Sequence, residues 1–196
     1  MTFKYKIGSE ICQKFGPFQL REGLITVEDE AGRLVEKVKR ISFDPGDSVA
    51  ALLHDVVTGE IILTKQWRYP AVTGRSLGDT LLELAAGRID REDDDAVTAI
   101  VREVCEETGI ILEPAGLEMI SECFSSPGGS SEIITVFYAP FAGQETPARG
   151  GLNGEYIQVL RFPAAKFMDL LLNGQIRDQK TALAGYWAIA NGKIGG

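Results

Sequence analysis

Residues 87 to 110 read GRIDREDDDAVTAIVREVCEETGI, and the second half of this stretch predicts a helix with one apolar side. Apolar residues recur there at i, i+3, i+4 and i+7, the spacing that lines one helical face: Val97, Ile100, Val101 and Val104. Asp95 is suited to cap the first turn, and Gly109 is suited to end the helix. We therefore predict a helix over residues 95–108, the clearest element in the chain.

Three carboxylates lie beside the apolar side of this predicted helix. Glu103 and Glu107 are four residues apart and stack on one face, with Glu106 one position round the axis. Such like-charge pairs destabilise a helix by a few tenths of a kcal/mol, a cost that a bound cation can offset. Oxygen ligands without His or Cys indicate Mg²⁺, with Mn²⁺ as a possible substitute. On spacing alone, a solvated acidic face is an equal alternative.

Composition and charge exclude several classes of protein. The chain has 196 residues and a net charge of −8, which argues against nucleic acid as a partner. A single histidine excludes H-E-x-x-H hydrolases and His-ligated metal sites, and three cysteines without a C-x-x-C pair indicate a reducing compartment. No apolar run reaches the roughly 18 residues of a membrane span, and the first residues lack a signal-peptide core. We expect a soluble, cytoplasmic protein with no membrane partner.

Short stretches that alternate apolar and polar residues predict strands on both sides of the helix. A turn cluster at residues 44–47 predicts a boundary, which divides the chain into an N-terminal antiparallel β subdomain, 1–45, and a main domain, 46–196. Two further helices are expected near the end of the chain, one opened by Pro163 and one from Asp178 to about residue 191. The predicted fold class is a mixed α/β (α+β) sandwich.

The stretch from Gly87 to Ile110 resembles the Nudix box, G-x5-E-x7-R-E-U-x-E-E-x-G-U, where U is apolar. The second half matches at every defined position: Arg102, Glu103, Val104, Glu106, Glu107, Gly109 and Ile110. The first half is one residue longer, and Asp94 stands for the early glutamate, which we interpret as one extra residue between Gly87 and the helix. The resemblance implies a Nudix-type α/β/α sandwich with a mixed sheet.

Segments outside the box are similar to the Nudix branch that cleaves ADP-ribose and related nucleotide sugars: KQWRYP, LLELAAGRID, FSSPGGSSE, GEYIQVL and NGQIRDQKTALAGYW. The I-R-D-x-K-T portion is most similar to the GDP-mannose-cleaving subgroup. The resemblance implies Mg²⁺-dependent hydrolysis of ADP-ribose to AMP and ribose 5-phosphate, or of GDP-mannose to GMP and mannose 1-phosphate. The alternative is a catalytically silent Nudix domain that senses a nucleotide sugar.

The resemblance also implies a metal site and a catalytic base. Glu103 and Glu107 would be the main metal ligands, joined by Glu106 and by the backbone carbonyl of Ala86. With no suitable histidine, the base is expected to be a carboxylate. Glu155 matches the mobile-loop glutamate of the family and is preferred, while Glu132, after SPGGSS, is the rival.

Substrate contacts and assembly follow from the same resemblance. Arg68 would face the diphosphate, although a structural ion pair is an equal interpretation. A turn at Pro127, Gly128 and Gly129 would approach the terminal sugar, and Asp178 and Lys180 would hydrogen-bond it; Asp178 is equally a plain helix cap. The N-terminal sheet would cross to a twofold partner and complete the base pocket, so a homodimer is expected.

Overall fold

A computed structural model describes residues 2–74, 80–143 and 156–195. Within these ranges the chain forms ten strands: β1 (Lys4–Phe15), β2 (Phe18–Glu28), β3 (Leu34–Asp44), β4 (Ser48–Asp55), β5 (Glu60–Trp67), β6 (Thr80–Glu83), β7 (Ala85–Arg88), β8 (Glu118–Phe124), β9 (Ile133–Phe141) and β10 (Gln158–Pro163). The same ranges contain four α-helices: α1 (Tyr69–Gly74), α2 (Ala96–Thr108), α3 (Ala164–Leu172) and α4 (Gln179–Ala190). None of the helices in the described ranges has the length and apolar character needed to span a bilayer.

The chain divides into two compact units. One comprises Met1–Asp47 together with Cys123–Ile133, and the other comprises Ser48–Glu122 together with Ile134–Gly196. The first unit is therefore built from two separate stretches of the sequence.

The larger sheet is mixed. In the described ranges its strands follow the order β10-β5-β4-β9-β8, with β6 paired to β5 and β7 paired to β4. Strand β4 pairs in parallel with β9 and antiparallel with β5 and β7. The LLELAAG segment is divided between two strands: β6 pairs with β5, whereas β7 pairs with β4.

Side chains of β4 alternate between two apolar cores, as the period of a strand requires. Ala50 and Leu52 face the core covered by α3 and α4. Val49, Ala51 and Leu53 face the core covered by α2. A strand buried on both faces must be apolar throughout, and a sheet with helices on both sides is the predicted α/β/α sandwich, which is confirmed.

Helix α2 matches its prediction at both ends. The Asp95 side chain accepts a hydrogen bond from the Thr98 amide, and Gly109 adopts a left-handed conformation with φ of 76°. The apolar side packs into the core through Ile100 and Val104. The sequence did not predict α1, because a helix of six residues is too short to show an apolar repeat.

The N-terminal sheet differs from the larger one in its exposure. It is antiparallel in the order β1-β2-β3, and every residue of β1 is exposed. Large apolar side chains remain on its surface, among them Tyr5, Ile7, Ile11, Phe15, Leu34, Val35 and Ile41. Such a sheet has little core of its own.

Candidate active site

Four carboxylates lie within 3.6 Å of the Arg102 guanidinium, and a fifth, Glu107, lies on the same helix, α2. We call these five side chains the carboxylate group: Asp90, Asp93, Glu103, Glu106 and Glu107. Arg102 contacts four of them, with nitrogen–oxygen distances of 2.7 Å to Asp93, 2.9 Å to Glu103, 3.5 Å to Glu106 and 3.6 Å to Asp90. One cation is therefore shared among several anions.

The firmest partner of Arg102 is Asp93, which accepts from both Nε and Nη2. Only 4% of the Asp93 side chain is exposed. The hydrogen bond from Arg102 lowers the pKa of Asp93, and the same bond raises the pKa of Arg102. This pair ties the loop before α2 to the middle of the helix.

Asp93, and not Asp94, is the aspartate of this loop that accepts hydrogen bonds from Arg102. Asp93 lies at the G-x5-E spacing from Gly87, so the additional residue falls between Asp93 and Arg102. Asp94 is exposed. Counting backward from the helix selects Asp94, whereas the aspartate that pairs with Arg102 is its neighbour, Asp93.

Glu103 and Glu107 both lie against the segment that leads into the box. The Glu107 carboxylate, only 4% exposed, accepts a hydrogen bond from the Ala86 amide at 3.2 Å. A Cβ atom on Gly87 would overlap the Glu103 carboxylate, so the glycine permits this close approach. Burial raises the pKa of Glu103, although Arg102 acts in the opposite direction.

The chemistry of this group suits a hard divalent cation. Its donors are carboxylate oxygens beside a backbone segment, with several negative charges and one guanidinium to neutralise them. In the described ranges, no three His, Cys, Asp or Glu side chains converge closely enough to form a ready metal cage. Glu103 bonds Arg102 instead, and Glu107 bonds the Ala86 amide.

A second cluster, which we call the cation group, joins three of the other motifs: Arg68, Glu83, Asp178 and Lys180. Glu83 accepts from Arg68 Nε at 3.0 Å and Nη2 at 2.7 Å, and from Lys180 Nζ at 3.3 Å. Lys180 also donates to Asp178 at 2.9 Å. Burial alone would raise the pKa of Glu83, but Arg68 and Lys180 outweigh it and hold that pKa below its usual value.

The structural interpretation of each residue, an ion pair for Arg68 and a helix cap for Asp178, is seen in the structure. Arg68 makes the ion pair with Glu83, yet 39% of its side chain stays exposed. Asp178 caps α4 by accepting from the Thr181 amide, as the plain-cap interpretation predicted.

The Pro127–Gly129 turn and Glu132 lie in the other unit, where residues of this loop are hydrogen-bonded to β3. The Phe43 amide donates to the Gly129 carbonyl at 2.8 Å, and the Ser131 amide donates to the Phe43 carbonyl at 3.0 Å. A side chain at Gly128 or Gly129 would meet no atom within 4 Å. Packing within the described residues therefore gives no reason for glycine at either position. Glu155, the preferred base, lies outside the described residues.

His54 and the three cysteines belong to neither cluster. The His54 ring lies 2.7 Å from the Tyr138 hydroxyl, and burial lowers the pKa of His54. The three cysteines, all of which lie in the described ranges, form no disulfide.

Comparison with known proteins agrees with the geometry of the box. A model of the NUDIX domain matches residues 44–186. The chain belongs to the Nudix family, which confirms the family that the sequence resembles and the hydrolase class it predicts.

Curated relatives cover most of the chain. A protein of Yersinia enterocolitica named GDP-mannose pyrophosphatase is 30% identical over 189 residues, 96% of each chain. Proteins with the same name are 29% identical in Klebsiella pneumoniae, over 83% of this chain and 80% of that one, and 32% identical in Shigella flexneri serotype 5b, over 74% of each.

Sequence reasoning missed two of the residues that organise these clusters. Glu83 is an acid between two leucines of a predicted strand, a position where a buried carboxylate needs a partner. Asp93 could have been found by counting forward from Gly87. Both signals were present, but neither indicated which cation would meet the carboxylate.

Proposed function

We propose that this protein hydrolyses the pyrophosphate bond of a nucleoside diphosphate sugar, with GDP-mannose as the first candidate substrate and ADP-ribose as the second. The names of the relatives and the I-R-D-x-K-T segment favour GDP-mannose. The products would be GMP and mannose 1-phosphate.

One observation carries this proposal: a single short segment contacts both clusters. Glu83 joins Arg68 and Lys180, and three residues later Ala86 meets Glu107. A fully extended chain of this length spans roughly 10 Å. Cations suited to a diphosphate therefore lie near carboxylates suited to a metal.

Glu103 and Glu107, with Glu106 and the Ala86 carbonyl, would hold Mg²⁺, for which Mn²⁺ could substitute. When bound, a divalent ion would neutralise phosphate charge and assist deprotonation of the attacking water. The protein itself orients the diphosphate through Arg68 and supplies a carboxylate to accept the proton. Glu155 is the preferred proton acceptor and Glu132 is the rival. Glu155 is preferred because it matches the loop glutamate of the family, and a loop that closes over substrate excludes water.

Sugar recognition is assigned to two places. The open space at Gly128 and Gly129 suits close approach of a ligand to the backbone of the Pro127–Gly129 turn. Lys180, with Asp178 beside it, would hydrogen-bond hydroxyl groups of the sugar.

Incubation with a panel of nucleotide sugars and Mg²⁺, with products separated by mass, tests the reaction. Water enriched in the heavy oxygen isotope would report which phosphorus is attacked. Binding of a nucleotide sugar without any turnover would instead support the sensing alternative.

The N-terminal sheet is proposed as the homodimer interface and as a contributor to the base pocket, with residues 1–45 as its subdomain and 46–196 as the Nudix domain. Its support is the row of exposed apolar side chains on β1 and β3, since monomers seldom leave such residues clustered on the surface. Light scattering of the wild type should give twice the mass of one chain. The Ile11→Lys variant should have a mass closer to that of a single chain. A monomeric wild type would contradict the interface.

A cytoplasmic location stays a prediction from cysteine usage.

A further inference from the structure

Glu83 is a buried carboxylate to which the proposed reaction gives no role. Its side chain is 2% exposed, and it sits at the last residue of β6. An ionised carboxylate at such a depth is retained only when it is paired. Its partners here are the two cations that the proposed function places on the substrate.

The contacts of Glu83 bind Arg68 in one orientation. Arg68 donates through both Nε and Nη2, which fixes the plane of the guanidinium as well as its position. Because 39% of the Arg68 side chain is exposed, this anchoring does not enclose the charge.

The start of α4 is fastened to the residue after Glu83. The Leu84 amide donates to the Thr181 hydroxyl at 3.0 Å, and Thr181 in turn donates to Asp178, the helix cap. Lys180 is the neighbour of Thr181, so its backbone is placed beside Glu83 by a link that does not involve charge. The Lys180 ammonium then completes the arrangement at 3.3 Å from Glu83.

We infer that Glu83 is a positioning residue for substrate binding: it holds Arg68 and Lys180 side by side against their mutual repulsion, so that both can meet one diphosphate sugar. This rests on the proposed function, because it takes the nucleotide sugar as the ligand. Removing the charge of Glu83 has two opposed effects. It raises the local positive potential, which favours an anion, and it frees two long side chains, whose ordering then opposes binding. The bidentate anchor makes the second effect the larger.

The test is titration calorimetry of GDP-mannose into wild type and Glu83→Gln in the presence of EDTA, so that binding is measured without turnover. We expect Kd to rise about tenfold, the value of a charge-assisted hydrogen bond lost from the site. With Mg²⁺ present, KM should rise to a similar extent while kcat changes by less than about threefold. An unchanged or lower Kd would overturn the inference.

Asp55→Asn provides a matched control. Asp55 is also a buried carboxylate of the same unit beside an arginine, Arg161, at 3.5 Å, and it accepts from the Val57 and Thr58 amides. Both variants should lower Tm, but only Glu83→Gln should raise Kd. A rise in both would show that loss of stability, and not positioning, weakens binding.

Two further variants complete the design. If Glu83→Gln does not fold, Glu83→Asp keeps the charge but shortens the reach, and it should also raise Kd; wild-type affinity there would contradict positioning. In an Arg68→Ala background, Glu83→Gln should raise Kd by a smaller factor than it does in the wild-type background. If the two factors are equal, Glu83 does not act through Arg68. A wild type that binds GDP-mannose but releases no product would refute the proposed hydrolysis, while the comparison of Kd values would still decide the role of Glu83.

Discussion

The carboxylate group and the cation group are built on opposite plans. In the first, a single guanidinium, Arg102, is shared among several carboxylates. In the second, a single buried carboxylate, Glu83, is shared by a guanidinium and an ammonium. The first keeps an excess of negative charge that suits a metal ion, and the second presents cations that suit phosphate. The comparison shows that negative charge is in excess where a metal ion would bind, and that positive charge is in excess where phosphate would bind.

The largest effect should come from removing the metal. EDTA should abolish hydrolysis and Mg²⁺ should restore it, because the single positive charge of Arg102 does not balance the several negative charges of the carboxylate group. Tm should fall by no more than about 4 °C, since a weakly bound ion stabilises a domain of this size only modestly. A much larger fall would mean that the core depends on the metal. Full activity in EDTA would remove the basis for the comparison between the two groups.

Glu107→Gln is expected to have the next largest effect. It keeps the shape of a buried side chain but removes its charge, and kcat should fall about a thousandfold, corresponding to several kcal/mol of lost electrostatic stabilisation. The same change at exposed Glu92, which lies within the box stretch but outside the carboxylate group, should leave kcat unchanged. Near-normal turnover of Glu107→Gln would show that the metal lies elsewhere.

The base is predicted to belong to neither group. Glu155→Gln should lower kcat about a hundredfold with little change in KM, as expected for loss of a proton acceptor. Glu132→Gln serves as the comparison and should have a small effect. If the two results are exchanged, Glu132 is the base.

Asp93→Asn and Asp94→Asn should differ in their effects on the free energy of unfolding. Losing the bidentate partner of Arg102 should destabilise the fold by about 1–3 kcal/mol, as for other buried charge-assisted hydrogen bonds. Asp94→Asn should change stability by less than about 0.5 kcal/mol, because Asp94 is exposed. Denaturant unfolding of both variants measures the difference, and equal effects would contradict the assignment of Asp93.

The smallest effect should appear in the pH dependence of the cation group. The folded pKa of Glu83 lies below its ordinary value of 4.5, so its charge contributes stability above that pH and loses this contribution as pH falls through the folded pKa. The stability difference between wild type and Glu83→Gln should therefore narrow below about pH 4.5. Unfolding at pH 7, 5 and 4 tests this, and a gap that widens on acidification would contradict a lowered pKa.

The sequence by itself determined the elements whose information is local. The apolar repeat, the Asp95 cap and the Gly109 end specify α2, because each depends on residues within a few positions. The same helix carries Glu103, Glu106 and Glu107 in a register set only by their spacing. The pattern of strands and helices likewise sufficed for the mixed α/β class, whereas the sheet covered by helices on both faces was implied by the family resemblance.

Only the tertiary structure decided which charges meet. Arg68, Glu83 and Lys180 are far apart in the sequence and come together because β6 pairs with β5 while α4 is fastened to Leu84. Asp93 and Asp94 are chemically identical, and only the path of the loop before α2 selects Asp93 for Arg102. The physical reason is that an ion pair depends on distance in space, whereas a sequence pattern records only distance along the chain.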